Sequence, residues 1–230
     1  MLFHKEKIKE EISYDEKDRI KVKRHTLGQK LEGEYLSYYD NGQVMAKLYF
    51  HNDLREGEAF SYYKSGQIRE KCTFKNDKLT GEYVFYYDSG QIREIEHYKD
   101  GKLHGNYTLF FKTGEVREVE HFKGGKFDGE YICYYKNGQV KEKGLFINDK
   151  REGEYTAYSK SGQIIDKATF KNGKLLGEFI SFPADAAEIE EPLPEDEQDV
   201  LIDEDDVNGR ERRVDDLFKK MTNFEKDKKP

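Results

Sequence analysis

GEYLSYYDNGQVMAKLYFHNDLRE, residues 33–56, is the stretch whose reading decides the architecture. Its two runs of strand-forming residues, EYLSYY and VMAKLYF, are each followed by polar turn chemistry, DNGQ and HNDLRE. The pattern returns every 24 residues. Its leading glycine stands at Gly33, Gly57, Gly81, Gly105, Gly129, Gly153 and Gly177 without an insertion or deletion. A second glycine, nine residues on, stands at Gly42, Gly66, Gly90, Gly114, Gly138 and Gly162. An unbroken period of this length means identical structural units stacked in a row.

Asn41-Gly42, Ser65-Gly66, Ser89-Gly90 and Asn137-Gly138 mark the first turns, and an Asn-Gly pair supplies the positive φ angles of a type I′ hairpin. The second turns fall at Asn52-Asp53, Asn76-Asp77, Asp100-Gly101, Gly124-Gly125, Asn148-Asp149 and Asn172-Gly173. Both connections are too short for a parallel crossover, so the expected fold is all-β: an elongated single-sheet antiparallel meander of hairpins. Two-residue turns at both ends place Tyr39 opposite Val44, Ser37 opposite Ala46, Tyr35 opposite Leu48 and Phe50 opposite Arg55, and the parity carries into the next repeat without slipping.

This alternation sends four columns to one face, the predicted core: Tyr35/Tyr83/Tyr107/Tyr131/Tyr155, Tyr39/Tyr63/Tyr87/Phe111/Tyr135, Val44/Ile68/Ile92/Val116/Val140/Ile164 and Phe50/Phe74/Tyr98/Phe122/Phe146/Phe170. The other face collects Glu34/Glu58/Glu82/Glu130, a ring column and basic residues that include Lys141. Its rings and arginines, Tyr38, Tyr62, Arg69, Tyr86, Arg93, Phe110, Arg117, Tyr134 and Tyr158, form the predicted partner-binding surface.

Residues 1–32 read as an N-terminal segment and a degenerate capping repeat, in which Lys9 and Asp18 replace the two glycines. The array proper runs over 33–182, which with the cap gives about 15 strands and a sheet roughly 70 Å long. Residues 183–212 read as an acidic disordered linker: from Asp185 to Asp206 there are twelve acidic residues and no Lys or Arg. Residues 207–230 carry +3, which leaves +2 for residues 1–184 out of a total of −7. Val214, Leu217, Phe218, Met221 and Phe224 fit a short amphipathic helix over 213–226.

With 35% hydrophobic and 38% charged residues, the chain has little material for a deep two-layer core. Its 17 Tyr and 15 Phe suit a thin sheet whose rings keep one edge wet. Cys72 and Cys133 would lie about five strands or ~24 Å apart, too far for a disulfide, so both are expected as reduced thiols. No leader or membrane-spanning run is visible, and a cytoplasmic protein is expected. No nucleophile elbow, P-loop, dinucleotide fingerprint or paired-histidine motif occurs, so no catalytic residue and no cofactor is expected. His97 and His121 would sit about 9.6 Å apart, too far to share a zinc ion, and Glu204, Asp206, Asn208, Gly209 and Asp215 follow a calcium loop only in part, so no metal is expected. A nearly neutral body with glutamates among the rings argues against nucleic acid and leaves cation–π and cross-strand ion pairs as the role of the arginines.

With GEYLSYYDNGQV, GEYVFYYDSGQI, GEYICYYKNGQV and the closing FKNDKLTGE and FKNGKLLGE, the chain resembles the variant MORN-repeat family over about residues 9–182. The resemblance implies a β-hairpin array that binds other proteins, and bacterial members are often described as antitoxin or immunity components. A general interaction scaffold is therefore the first expectation and an antitoxin for one cognate toxin, aided by the acidic arm, the second. Association with a membrane surface is a third.

Overall fold

The computed structural model describes residues 6–183. The acidic linker and the amphipathic segment beyond Pro183, with the partial calcium loop, lie outside the described residues. The fold is all-β and antiparallel, and the described residues divide into two compact units that meet in sequence at Gly90/Gln91. The first unit holds β1 (Lys9–Tyr14), β2 (Ile20–Leu27), β3 (Lys30–Tyr38), β4 (Val44–His51), β5 (Leu54–Arg55), β6 (Gly57–Tyr62), β7 (Ile68–Lys75), β8 (Lys78–Leu79) and β9 (Gly81–Tyr86). The second holds β10 (Ile92–Lys99), β11 (Lys102–Leu103), β12 (Gly105–Phe110), β13 (Val116–Lys123), β14 (Lys126–Phe127), β15 (Gly129–Tyr134), β16 (Val140–Ile147), β17 (Lys150–Tyr158), β18 (Ile164–Lys171), β19 (Lys174–Leu175) and β20 (Ile180–Ser181). Five of these twenty are short pieces cut from a neighbouring strand at a signature glycine, so the fifteen strands expected are present.

At that cut the pairing register shifts while the expected parity holds. Phe50 does pair with Arg55, but Ala46 then pairs with Ser61 and Lys47 with Phe60, a slip of two residues around Gly57. Gly57 has φ +86°, and the preceding Glu56 N–H donates to the Tyr49 carbonyl at 2.8 Å. Positive φ is the conformation a glycine adopts without a Cβ penalty. Because the slip is even, the inward–outward alternation survives it.

The first turn also differs. Tyr39 N donates to Gln43 O at 2.8 Å and Gly42 N to Tyr39 O at 2.9 Å. With positive φ at Gly42 and not at Asn41, this is a three-residue loop with a glycine bulge rather than a type I′ turn. Tyr38 therefore pairs with Val44, in place of Tyr39, and a second bulge restores Ser37 opposite Ala46 and Tyr35 opposite Leu48. The type I′ geometry belongs to the second turn, where Asn52 and Asp53 have φ of 51° and 69° and Asn148 and Asp149 have 50° and 66°. The degenerate first repeat keeps the design: Tyr14 pairs with Ile20, and Asp18 takes φ 58° where other repeats have glycine.

Hydrogen bonds between repeats stack the turns. Asp53 N donates to Leu31 O and Asp149 N to Phe127 O, while the same aspartates accept from Leu31 N and Phe127 N through Oδ1. The Tyr39, Tyr63 and Tyr135 hydroxyls donate to the carbonyls of Tyr62, Tyr86 and Tyr158 at 2.6, 2.6 and 2.8 Å.

The core follows the Tyr35 and Phe50 columns, with Tyr35, Phe74, Tyr83, Tyr98, Tyr107 and Phe122 buried. The Val44/Ile68 column is a correction: Ile68 and Ile92 are each 38% exposed, because the tip register pairs this column with the outer rings. Missed by the sequence reading are the carboxylates Glu70, Glu96 and Glu120, which are buried on the core face. Arg55 is buried too; its Nε donates to Asp77 Oδ1 at 2.7 Å and its guanidinium lies 4.2 Å from the centre of the Phe74 ring.

Two predictions follow from this geometry. A Cβ at Gly129 would meet His121 Cβ at 2.6 Å, whereas at Gly153, φ +72°, nothing lies within 4 Å. G153A should cost about 1–2 kcal/mol through its backbone conformation alone, and G129A more, as read by urea melts; equal losses would show that the packing against His121 is soft. The second concerns Asp15, whose carboxyl is lowered from 3.8 to about 2, first by the hydrogen bond from the Arg19 side chain. A depressed carboxylate contributes fully above its unfolded pKa and loses that contribution as pH falls through the folded one. The amides of Lys17 and Arg19, both donors to Asp15 Oδ1, should therefore titrate near pH 2 by NMR, and D15N should abolish the transition.

Candidate protein-interaction surface

The ring column survives as a surface feature: Tyr38, Tyr62, Tyr86, Phe110, Tyr134 and Tyr158 are all half-buried. The bulge after the first turn moves the cations away from it. Arg69 lies over Tyr63 and Phe85, with centroid distances of 5.9 and 5.5 Å, and Arg117 and Lys141 lie over Phe111 and Tyr135. Those rings belong to the core-side columns, so Arg69 and Arg117 are not brought together with the Tyr38 column as the alternation predicted. Arg93 takes the equivalent bulge position on β10 and is half-buried. The cations beside the outer rings are lysines instead. Lys71 lies over Phe60 at 5.9 Å, Phe60 stacks with Tyr62 at 6.5 Å, and Lys143 lies over Tyr158 at 5.7 Å.

In the first unit this outer face is laced with ion pairs. Lys47 Nζ is 2.7 Å from Glu34, and Tyr49 donates to the same carboxylate at 3.2 Å. The Lys47 contact holds the Glu34 carboxyl below the ordinary range. Lys71 pairs with Glu58 at 3.2 Å.

In the second unit cross-strand pairing runs Ile95–Thr108–Val119–Ile132, a row on the outer face of β10, β12, β13 and β15. All four are half-buried, and Phe110 and Tyr134 stand beside them on β12 and β15. A sheet residue without a second layer above it loses part of its surface to neighbours and keeps the rest. This row was legible only once the two-residue slip had fixed which residues sit side by side.

On the opposite face of the second unit the row reads Glu94–Leu109–Glu118–Cys133–Glu142–Ala157–Asp166. Glu142 accepts from Tyr131 at 2.8 Å and from Tyr155 at 2.6 Å, at the wall of an open depression of about 260 Å³ that Lys141, Tyr158 and Asp166 also line. Burial pushes both tyrosines above their ordinary range. Burial likewise raises the Cys133 thiol to about 11, which leaves it a poor nucleophile at neutral pH. Cys72 is shifted further in the same direction, again mainly by burial, and neither cysteine is in a disulfide.

His97 and His121 both turn Nδ1 to Asn106, the first to its carbonyl at 2.8 Å and the second to its Oδ1 at 2.9 Å. Among the described residues no group of three His, Cys, Asp or Glu is placed to hold a metal ion, and no helix is long and apolar enough to cross a membrane.

The model of the MORN repeat variant matches residues 31–52, 55–76, 79–100, 127–148 and 151–172. No curated protein matches the chain. Among solved structures, the crystal structure of the GtfA/B complex bound to UDP and GlcNAc is 16% identical with a TM-score of 0.20 over 57% of this chain. The match spans 23% of that chain's length. A protein of unknown function from Bacteroides fragilis NCTC 9343 is 9% identical with a TM-score of 0.13, over 77% of this chain and 94% of that one. Scores this low carry no argument about fold or function. Five matched copies settle the family: the chain belongs to the MORN repeat variant family, a non-enzymatic repeat type.

Proposed function

We propose that this protein is a non-enzymatic scaffold that binds another protein on the outer face of its hairpins. The observation that carries the reading is the row Ile95, Thr108, Val119 and Ile132 flanked by Phe110 and Tyr134. Aliphatic side chains ringed by aromatics are the composition of a binding patch, where large rigid rings supply most of the energy. The repeat type, which commonly binds proteins or membranes, supports a scaffold. The low nucleophilicity of the two thiols supports a binding role over catalysis. Two unpaired thiols fit a cytoplasmic location.

An antitoxin is the narrower form of this reading, favoured by the twelve acidic residues between Asp185 and Asp206. A polyanion of that density imitates a phosphate backbone and would suit the basic cleft of a nucleic-acid-processing toxin.

The test is affinity purification of the full chain from its native lysate, followed by titration of the purified partner. V119T/I132T, and separately Y134A/Y158A, should weaken binding at least tenfold, about 1.4 kcal/mol, with the free protein still folded by its melting curve. Undiminished binding by both variants would remove the outer face. A single toxin whose binding weakens steeply with salt supports the narrower form, and binding to anionic vesicles alone would replace a protein partner by a membrane.

A further inference from the structure

The second turns carry a charge pattern that the scaffold reading does not use. In the unit of residues 91–183, Lys99 pairs with Lys102, Lys123 with Lys126 and Lys171 with Lys174, while Lys150 pairs with Ile147. All seven lysines are exposed. Like charges directly opposed across strands destabilise a sheet. Turn chemistry does not require them, since a type I′ turn constrains its two central residues and leaves the flanking pair free. Several nearby carboxylates are already committed to backbone donors: Asp128 accepts from Asn148 N, Asp149 from Phe127 N and Glu152 from Asn172 N. Asp100 lies within the first of these turns and offsets one charge there. The result is an edge on which ammonium groups recur at each two-strand step, about 9.6 Å.

The lysines are unevenly distributed. The first unit has one such pair, Lys75 with Lys78, and elsewhere places His51 opposite Leu54 and Leu27 opposite Lys30. The dense rows thus belong to the unit from which the acidic segment departs. Asp185 follows Lys174 by eleven residues, and the stretch it opens carries −12 with no compensating Lys or Arg. β20 pairs Ser181 with Asp166, so the chain leaves the sheet at Pro183 beside the first turns, six residues or ~20 Å along β18 from the second-turn edge. The acidic stretch, up to ~70 Å when extended, spans that gap and the three steps of ~10 Å between the first and last lysine rows. Tethering at this distance holds the segment at an effective concentration on the order of millimolar.

We propose that the lysine edge of the C-terminal unit is a polyanion-binding surface whose resident ligand is residues 185–206 of the same chain. The segment relieves the repulsion within the Lys–Lys pairs and screens the edge from other anions, so an external polyanion gains access by displacing it. The contact is independent of the outer-face scaffold reading, because it uses the turns and not the rings.

A nitroxide on Q198C, in the full chain carrying C133S, tests the proposal. At about 50 mM salt it should broaden the amides of Lys99–Lys102, Lys123–Lys126 and Lys171–Lys174, and the broadening should fade by about 500 mM as screening shortens. K102Q/K126Q/K174Q should reduce it at low salt. No broadening at low salt, broadening centred on another surface, or broadening that arises only between labelled and unlabelled molecules would overturn the intramolecular contact. As a second measurement, full chains with the twelve acids changed to Asn or Gln should bind a fluorescent 20-residue polyglutamate at least tenfold more tightly than the parent. Equal affinities would also overturn it.

Discussion

The hydrogen bonds that, within each unit, join second turns to the repeat before them are the constraint on which the structure depends. A one-layer sheet with 35% hydrophobic residues cannot rely on burial alone to fix its edges. Here a turn amide reaches back to a carbonyl 22 residues earlier, as Asp77 N does to Arg55 O at 3.0 Å, and the aspartate side chain closes the reverse bond. Once the turns are stacked, the strands between them can pair in one register only. The glycine at the start of the next strand then absorbs the two-residue slip that this stacking imposes.

Side-chain chemistry follows from that frame. The core columns bury Tyr rather than Leu in many repeats, and a buried hydroxyl needs a partner. Some of the acidic residues of the inner face serve that need: Glu96 accepts from Tyr98 at 2.7 Å and Glu142 from two tyrosines. Arg55 stands where other repeats have Leu79, Leu103 or Phe127, and its burial is matched by Asp77 from the following turn and by the face of Phe74. The polar groups of the inner face are thus part of how an aromatic-rich, aliphatic-poor chain satisfies its own interior.

The period, the antiparallel hairpins and the pairing of Tyr35 with Leu48 were all legible in the sequence, because they rest on spacing and turn residues alone. What escaped was local backbone geometry. Asn41-Gly42 reads like a type I′ pair, yet only Gly42 takes positive φ, and the resulting bulge removes Ile68 and Ile92 from the core and carries Arg69 and Arg117 to the other side. Side-chain parity cannot reveal such a bulge, since two compensating irregularities return the strand body to the expected pairing. The aliphatic row from Ile95 to Ile132 was hidden for a related reason: its members come from strands whose adjacency depends on the slip at the signature glycine.

The bonds between successive repeats are short in sequence, spanning 20 to 23 residues, as from Asn52 to Glu32, Asp53 to Leu31 and Tyr39 to Tyr62. Each is fully specified by two neighbouring copies and is indifferent to how many others exist. Excising or duplicating one 24-residue period would leave every surviving copy with a neighbour that offers the same backbone donor and acceptor at its second turn. The number of repeats is therefore a quantity that gene duplication can adjust without redesigning any bond, and the extent of the recognition face can change in evolution by whole units rather than by single substitutions.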